Sequence, residues 1–254
     1  MVMNSEKNTP LPDVSICLAS YNGAKYIADQ IQSIIQACDS VENLIWELIV
    51  SDDLSTDNTI EIIRPLMPKN GLIIFGSNLG ISKNFENAIL NSRGHFIVLS
   101  DQDDVWEVGR ISYILDKLKH HDLVVCNLKF VDSKLSPLGF SMWDNITPSS
   151  SLVLNIFRNR FTGAAMAFKR EVFEEVYPFP KGILHDVWIG CASLLFKYRV
   201  CFLPGSPILF RRHDNNNSDV GRRQRVLRFK VFSSRIILVF SLFRILMSKK
   251  SGFR

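Results

Sequence analysis

Three carboxylates fall within four residues in Ser100-Asp101-Gln102-Asp103-Asp104-Val105-Trp106, directly after the short apolar run 95–99. Carboxylates this close repel one another unless a cation lies among them. Oxygen-only donors suit Mg²⁺ or Mn²⁺, which keep water ligands and bridge to phosphate oxygens. The plainer alternative is a solvated acidic turn that caps the next helix. A second cluster, Asp52 and Asp53 in Ser51-Asp52-Asp53-Leu54-Ser55-Thr56-Asp57-Asn58-Thr59, offers carboxylates to a base N–H or a ribose hydroxyl. Ser55, Thr56 or Asp57 can cap a helix there without excluding that role. The third feature is His185-Asp186. An Asp beside a cleft serves as general base when it sits within hydrogen-bond reach of an acceptor hydroxyl, and the same residue reads equally as a helix N-cap. His213, in Arg211-Arg212-His213-Asp214-Asn215-Asn216, fits packing or the surface as well as it fits a ligand. His95, His120 and His121 carry no chemical pattern.

These clusters need elements to hold them. Val14–Leu18, Trp46–Val50, Leu72–Phe75 and His95–Leu99 are short apolar runs that predict buried strands. Between them, Ile27, Ile31, Ile34 and Ile35 recur at helical spacing, Ile60, Ile62 and Ile63 mark a second helix, and 82–91 a third. Alternating strands and helices predict a parallel sheet covered by helices. Ligands of such sheets bind at the carboxyl ends of the strands. Ser20–Asn22, Asp52–Asp53 and Asp101–Asp104 all sit there. The second half is less regular: strands are expected at Leu123–Phe130, Ala164–Phe168 and Val200–Leu203, a helix over His185–Phe196, and a polar loop from Arg211 to Gly221. No internal repeat or low-complexity linker interrupts the chain, which predicts one catalytic domain to about residue 215 and a tail over 216–254.

The 254 residues suffice for one α/β domain with a real core, and 46% hydrophobic with 22% charged residues is ordinary for a folded protein. The five cysteines are scattered without a CxxC pair, which argues against a disulfide framework or zinc site and fits a reducing cytosol. Met1–Pro12 is polar and carries no signal-peptide pattern. The net charge of +5 hides an asymmetry: residues 211–254 carry +10, leaving −5 for the remainder. A basic end of this kind suits nucleic acid or an anionic membrane. Nucleic acid is excluded because no aromatic stacking platform or reading motif accompanies the charge. The P-loop, dinucleotide, GxSxG and HExxH signatures are all missing from the sequence.

Taken in order, seven stretches resemble the family 2 glycosyltransferases, and within them the bacterial rhamnosyltransferase-like enzymes of surface-polysaccharide assembly, O-antigen and capsule included. They are Val-Ser-Ile-Cys-Leu-Ala-Ser-Tyr-Asn-Gly from Val14, Ser-Asp-Asp-Leu-Ser-Thr-Asp-Asn-Thr from Ser51, Asn-Leu-Gly-Ile-Ser-Lys-Asn-Phe from Asn78, Leu-Ser-Asp-Gln-Asp-Asp-Val-Trp from Leu99, Thr-Gly-Ala-Ala-Met-Ala-Phe from Thr162, His-Asp-Val-Trp from His185 and Arg-Arg-His-Asp-Asn-Asn from Arg211. The resemblance implies an α/β GT-A fold over 12–215, with a mostly parallel central sheet flanked by helices. It implies a nucleotide site built from Ala19, Ser20, Tyr21, Asn22, Asp52, Asp53, Lys83, Asp101 and Gln102. Mn²⁺ or Mg²⁺ is implied on Asp103 and Asp101, with Asp104 adjacent and His213 reaching the metal or the diphosphate. Asp186 is the implied base, and Trp106, Gly163, His185 and Trp188 the acceptor side. Two departures stand out: Leu54 replaces a common Gly, which looks harmless in a turn, and Phe-Arg-Arg-His replaces Tyr-Arg-Gln-His before His213. The QxxRW motif of processive members is missing, which implies one sugar per encounter.

The implied reaction is a single inverting displacement from a nucleotide-diphospho-sugar, dTDP-rhamnose or a UDP-sugar, to a saccharide or lipid-linked saccharide. A sugar nucleotidyltransferase is the rival enzyme class, yet Ser-Tyr-Asn-Gly-Ala-Lys after the first strand lacks its Gly-rich basic loop. A non-catalytic nucleotide-sugar-binding protein would have lost the acidic residues, and all are present. In the tail, Lys230, Arg235 and Arg244 interrupt the apolar run 226–247, which disfavours a membrane span. Lys230, Ser233, Ser234, Ser241, Arg244 and Ser248 share one side of a helical wheel, and Arg222, Arg223, Arg225, Lys249, Lys250 and Arg254 flank it. This predicts an in-plane amphipathic helix on the anionic cytoplasmic leaflet, making the protein cytoplasmic and peripheral. The competing expectation is a helix that packs on the catalytic domain or on a second subunit of a homodimer.

Overall fold

The computed structural model describes residues 10–205, 207–213 and 224–250. The boundary set near residue 215, the Asn215–Asn217 run and the flanking Arg222, Arg223 and Arg254 lie outside the described residues.

A seven-stranded sheet forms the centre. Its strands are β1 (Val14–Ser20), β2 (Trp46–Asp52), β3 (Gly71–Phe75), β4 (Phe96–Ser100), β6 (Leu123–Cys126), β9 (Met166–Lys169) and β10 (Val200–Leu203), in the spatial order β10-β6-β9-β4-β1-β2-β3. All neighbours are parallel except β9, which runs antiparallel between β4 and β6. β1 and β2 are buried along their whole lengths, which is why they read as continuous apolar runs without alternation. Helices α1 (Ile27–Asp39), α2 (Thr59–Ile63), α3 (Ile81–Leu90) and α4 (Arg110–Leu118) cover the sheet. α1 buries Ile27, Ile31 and Ile34 as its spacing requires.

A second sheet, β5 (Val105–Trp106), β11 (Ile208–Arg211), β7 (Lys129–Val131) and β8 (Pro137–Ser141), is not foreseen by the sequence pattern. The run 123–130 read as one strand divides between the two sheets. At the break, Asn127 Oδ1 accepts the N–H of Leu128 and that of Trp143, turning the chain. Likewise Arg211, expected to open a loop, closes β11.

Register explains how the polar ends converge. Ser20 pairs with Asp52 across β1 and β2, and Leu18 with Ser100 across β1 and β4. The loops after β1 and β2 therefore start level at one edge of the sheet, and the loop after β4 starts two residues short of them at the same edge. Beyond them lie α5 (Leu152–Phe157), α6 (Arg170–Val176) and α7 (His185–Leu195).

The tail forms α8 (Gln224–Lys250) and packs on α5 and α7. Leu238 and Leu242 are buried in the core cluster, the Arg235 guanidinium donates to the Ile156 carbonyl, and Lys249 pairs with Glu175. The packing expectation for the tail is met on this face, and the exposed face is a separate matter. Among the described residues no helix is long and apolar enough to cross a membrane.

Candidate active site

The loop after β2 is organised from within. Asp52 is fully buried and its carboxylate accepts the Ser20 hydroxyl at 2.7 Å, the Ser55 hydroxyl at 2.6 Å and the Ser55 N–H at 2.7 Å. Its oxygens are taken up in building the turn. Asp53 accepts the N–H of Gly80 at 2.9 Å. Gly80 holds φ +85°, a conformation that L side chains avoid, and this aims its N–H at Asp53 ahead of α3. Leu54 also sits in the left-handed region, at φ +67°. The side chain at this turn is therefore not free of cost, since an L residue in that region loses roughly 1–2 kcal/mol relative to Gly. Tyr21 and Asn22 are exposed at the end of β1. Tyr21 exchanges two bonds with the Gln102 amide: its N–H donates to Oε1 at 2.8 Å and its carbonyl accepts from Nε2 at 3.0 Å. Ala19 is buried beneath them, and Lys83, on α3, pairs with Glu86.

The acidic triplet divides. Asp104 is buried and turns inward, where Oδ1 accepts the Arg211 N–H at 3.2 Å and the buried Arg110 guanidinium lies nearby. Burial, then the charges of Asp103 and Asp101, push its carboxyl well above the usual carboxylate range. Asp101 and Asp103 each stay partly exposed. Asp101 is half-buried, and its Oδ1 is shut off from solvent without a hydrogen-bond partner. Burial, then the charges of Asp103 and Asp186, raise Asp101 to about 7. Asp103 meets His213, whose Nε2 lies 2.9 Å from Oδ2. Tyr26, not singled out by sequence, and Arg211, quoted there without a role, complete this corner: the Tyr26 ring lies 4.8 Å from the His213 ring and 4.5 Å from the Arg211 guanidinium.

Among the described residues no three His, Cys, Asp or Glu side chains converge closely enough to hold a metal by themselves. Two partly exposed carboxylates, one with an orphaned oxygen, nevertheless fit a hard cation that takes its remaining ligands from water and phosphate. Asp101 and Asp103 are the residues present for it.

Asp186, in the first turn of α7, lies near enough for its charge to raise Asp101. Burial lifts Asp186 to about 6. Its Oδ1 accepts the Val187 N–H at 2.8 Å, and its Oδ2 the Asn159 amide at 3.4 Å. Asn159 is a further residue the sequence left unmarked; it follows α5 and lies three residues before the stretch that opens at Thr162. His185 is buried against Phe85, with ring centroids 4.2 Å apart and neither ring nitrogen hydrogen-bonded. Burial lowers it to about 3, so the imidazole is neutral. A Cβ added at Gly163 would lie 2.3 Å from His185 Nε2, so glycine there lets the ring seat.

The two tryptophans expected on the acceptor side are placed otherwise. Trp188 is 2% exposed and gives its indole N–H to the Val176 carbonyl at 2.8 Å. Trp106 is 4% exposed and stacks under Arg110 at 4.3 Å. Neither has a face open to an acceptor, because helix and strand geometry turn both inward. Trp188→Phe should cost about 1–3 kcal/mol by orphaning the Val176 carbonyl. Urea unfolding checks this, with the KM for acceptor unchanged.

This arrangement has known counterparts. The family model described as Glycosyl transferase family 2 matches residues 15–177. The dTDP-rhamnosyl transferase RfbG of Shigella flexneri is 35% identical over 218 residues, covering 78% of this chain and 72% of that protein. An uncharacterized glycosyltransferase of Nostoc sp. is 27% identical, covering 80% of this chain and 66% of its own length, just under two thirds. Among solved structures, S. aureus TarS 1-349 in complex with UDP-GlcNAc superposes with a TM-score of 0.65 at 16% identity, over 89% of this chain and 66% of that one. The mannosyltransferase PcManGT of Pyrobaculum calidifontis, in complex with GDP-Man and Mn²⁺, gives 0.59 at 15% identity, over 97% and 77%. These two likenesses establish the GT-A-like fold, and the sequence matches go further: the chain is a glycosyltransferase that belongs to family 2.

Proposed function

We propose that the protein is a metal-dependent, inverting, non-processive transferase moving one sugar from a nucleotide-diphospho-sugar to a saccharide or lipid-linked saccharide in cell-surface polysaccharide assembly. The carrying observation is the convergence of Asp101, Asp103 and Asp186 at the carboxyl edge of the sheet. The turn built on Asp52, with Tyr21, Asn22, Asp53 and Gln102 around it, binds the nucleoside and orients its diphosphate toward Asp101 and Asp103. Asp101 and Asp103 would hold a Mn²⁺ or Mg²⁺ ion, which when bound would supply positive charge to the diphosphate. His213, beside Asp103, adds a donor to that corner. Asp186 Oδ2 takes the proton of the acceptor hydroxyl while that oxygen attacks the anomeric carbon on the face opposite the leaving diphosphate, which inverts the centre. Asn159 holds the carboxylate in place for this step.

The similarity to an enzyme named as a dTDP-rhamnosyl transferase supports dTDP-rhamnose as donor, with UDP-sugars next. A peripheral position on the cytoplasmic face of an anionic membrane, through the tail, suits a lipid-linked acceptor. Incubating the protein and Mn²⁺ with dTDP-rhamnose, UDP-glucose, UDP-GlcNAc and GDP-mannose, and measuring nucleoside diphosphate release, tests the donor. Release from dTDP-rhamnose at least ~10-fold above the others is expected, and equal or greater release from GDP-mannose would assign another donor.

A further inference from the structure

We propose that the outward face of α8, together with α5, rests on an anionic lipid bilayer and brings the hydroxyl of a lipid-linked acceptor to Asp186. This rests on the transferase reading above and adds the surface that meets the lipid and its place beside Asp186. Along α8, Leu238, Leu242 and Ile245 face the protein. At about 100° per residue, Ile236, Phe240 and Phe243 fall on the opposite side, and they are exposed, Phe240 by 67% and Phe243 by 59%. Ser241, Arg244 and Ser248 occupy a third side. A terminal helix that only packs on its own domain needs one apolar stripe. This one carries two, with a polar stripe beside them, so one stripe has a partner outside the domain. α5 adds exposed Val153, Leu154 and Phe157, the last 76% exposed, and its carbonyls at Asn155 and Ile156 hold Arg235 of α8.

Position supplies the link to chemistry. Asn159, which donates to Asp186, lies two residues past Phe157, a separation that spans at most about 7 Å. The exposed apolar end of α5 therefore adjoins the acceptor side of the site. Charge selects the occupant. Arg211, Arg235 and Lys249 bond within the protein, whereas Arg244 is exposed beside this face and Arg222, Arg223, Arg225, Lys250 and Arg254 flank the run 226–247 in sequence. A twofold contact between copies would press that charge against itself, whereas anionic headgroups neutralise it while the phenylalanines enter the headgroup–acyl boundary.

The test uses the full chain, with vesicles of phosphatidylcholine alone or mixed with phosphatidylglycerol, followed by cosedimentation. The protein is expected to bind the anionic vesicles, less so at high salt, and Phe157→Ser/Phe240→Ser/Phe243→Ser together should weaken binding at least ~10-fold. All three side chains lie on the surface, so the circular dichroism spectrum should not change, and Phe→Leu at the same positions should retain binding. Wild-type protein that ignores anionic vesicles at low salt overturns the proposal, as does a triple serine variant that binds them undiminished. If the serine variant instead converts a dimer to a monomer in sedimentation velocity, with no vesicle binding in either, a second copy covers the face and the proposal falls. Nucleoside diphosphate release measured without vesicles reports on the transferase reading separately, so either claim can fail alone.

Discussion

Asp103→Asn should abolish metal-dependent sugar transfer and leave the protein folded. The substitution removes one negative charge from the Asp101 and Asp103 pair and keeps the side chain's size. The amide oxygen can still accept from His213 Nε2, so the contact at that corner survives. What is lost is an anionic donor to a divalent ion, and with it the cation's share in binding the diphosphate. Nucleotide affinity in the presence of Mn²⁺ should fall at least ~10-fold, while affinity without Mn²⁺ changes little. Titration calorimetry with dTDP, with and without Mn²⁺, reads both quantities. Unchanged Mn²⁺-dependent affinity in this variant would mean that Asp103 serves only to hold His213.

Asp186→Asn should depress turnover by about 10²–10⁴-fold with little change in donor binding, because an amide cannot take the acceptor's proton. The pH profile gives an independent reading. Burial raises this carboxyl to about 6. A base must be ionised to act, so kcat/KM in the wild type should fall as pH drops below about 6, approaching tenfold per pH unit, and the residual activity of Asp186→Asn should not follow that limb. Near-normal turnover in the variant would leave Asp186 a first-turn residue that accepts the Val187 N–H; the N-cap expected of it is not its place, because α7 starts at His185 and Leu184 stands at the cap.

How far these roles were legible depended on what each residue type reveals without its neighbours. β1, β2 and β4 were legible because strands covered on both faces must be apolar throughout, and their ends had to carry the polar clusters. The direction of β9 was not legible: Met166–Lys169 has the same apolar composition whether parallel or antiparallel. β8 was hidden because Pro137–Ser141 is almost wholly exposed and contains both Pro and Gly. The acidic triplet was legible as a cluster, but its division was not, since only the long-range contacts to Arg211 and Arg110 turn Asp104 inward. Trp188 was misread for a geometric reason. It lies two residues from Asp186 in sequence, yet two helical steps rotate it by about 200°, away from Asp186 and into the core. In the tail, the wheel put Ser241, Arg244 and Ser248 on one side, but Arg235 falls off that side and bonds the Ile156 carbonyl. The wheel could not show that the apolar remainder splits into one stripe packed on α5 and α7 and another exposed, because that depends on where the domain's surface meets the helix.

The most direct test of the central claim is diffraction at the manganese absorption edge from crystals of the full chain soaked with Mn²⁺ and dTDP. The account predicts an anomalous peak beside the carboxylates of Asp101 and Asp103, touching the diphosphate, with the nucleoside against the loops that follow β1 and β2 and Asp186 facing the open side of the diphosphate. A nucleotide bound elsewhere, or manganese held away from both carboxylates while the diphosphate is in place, would contradict it.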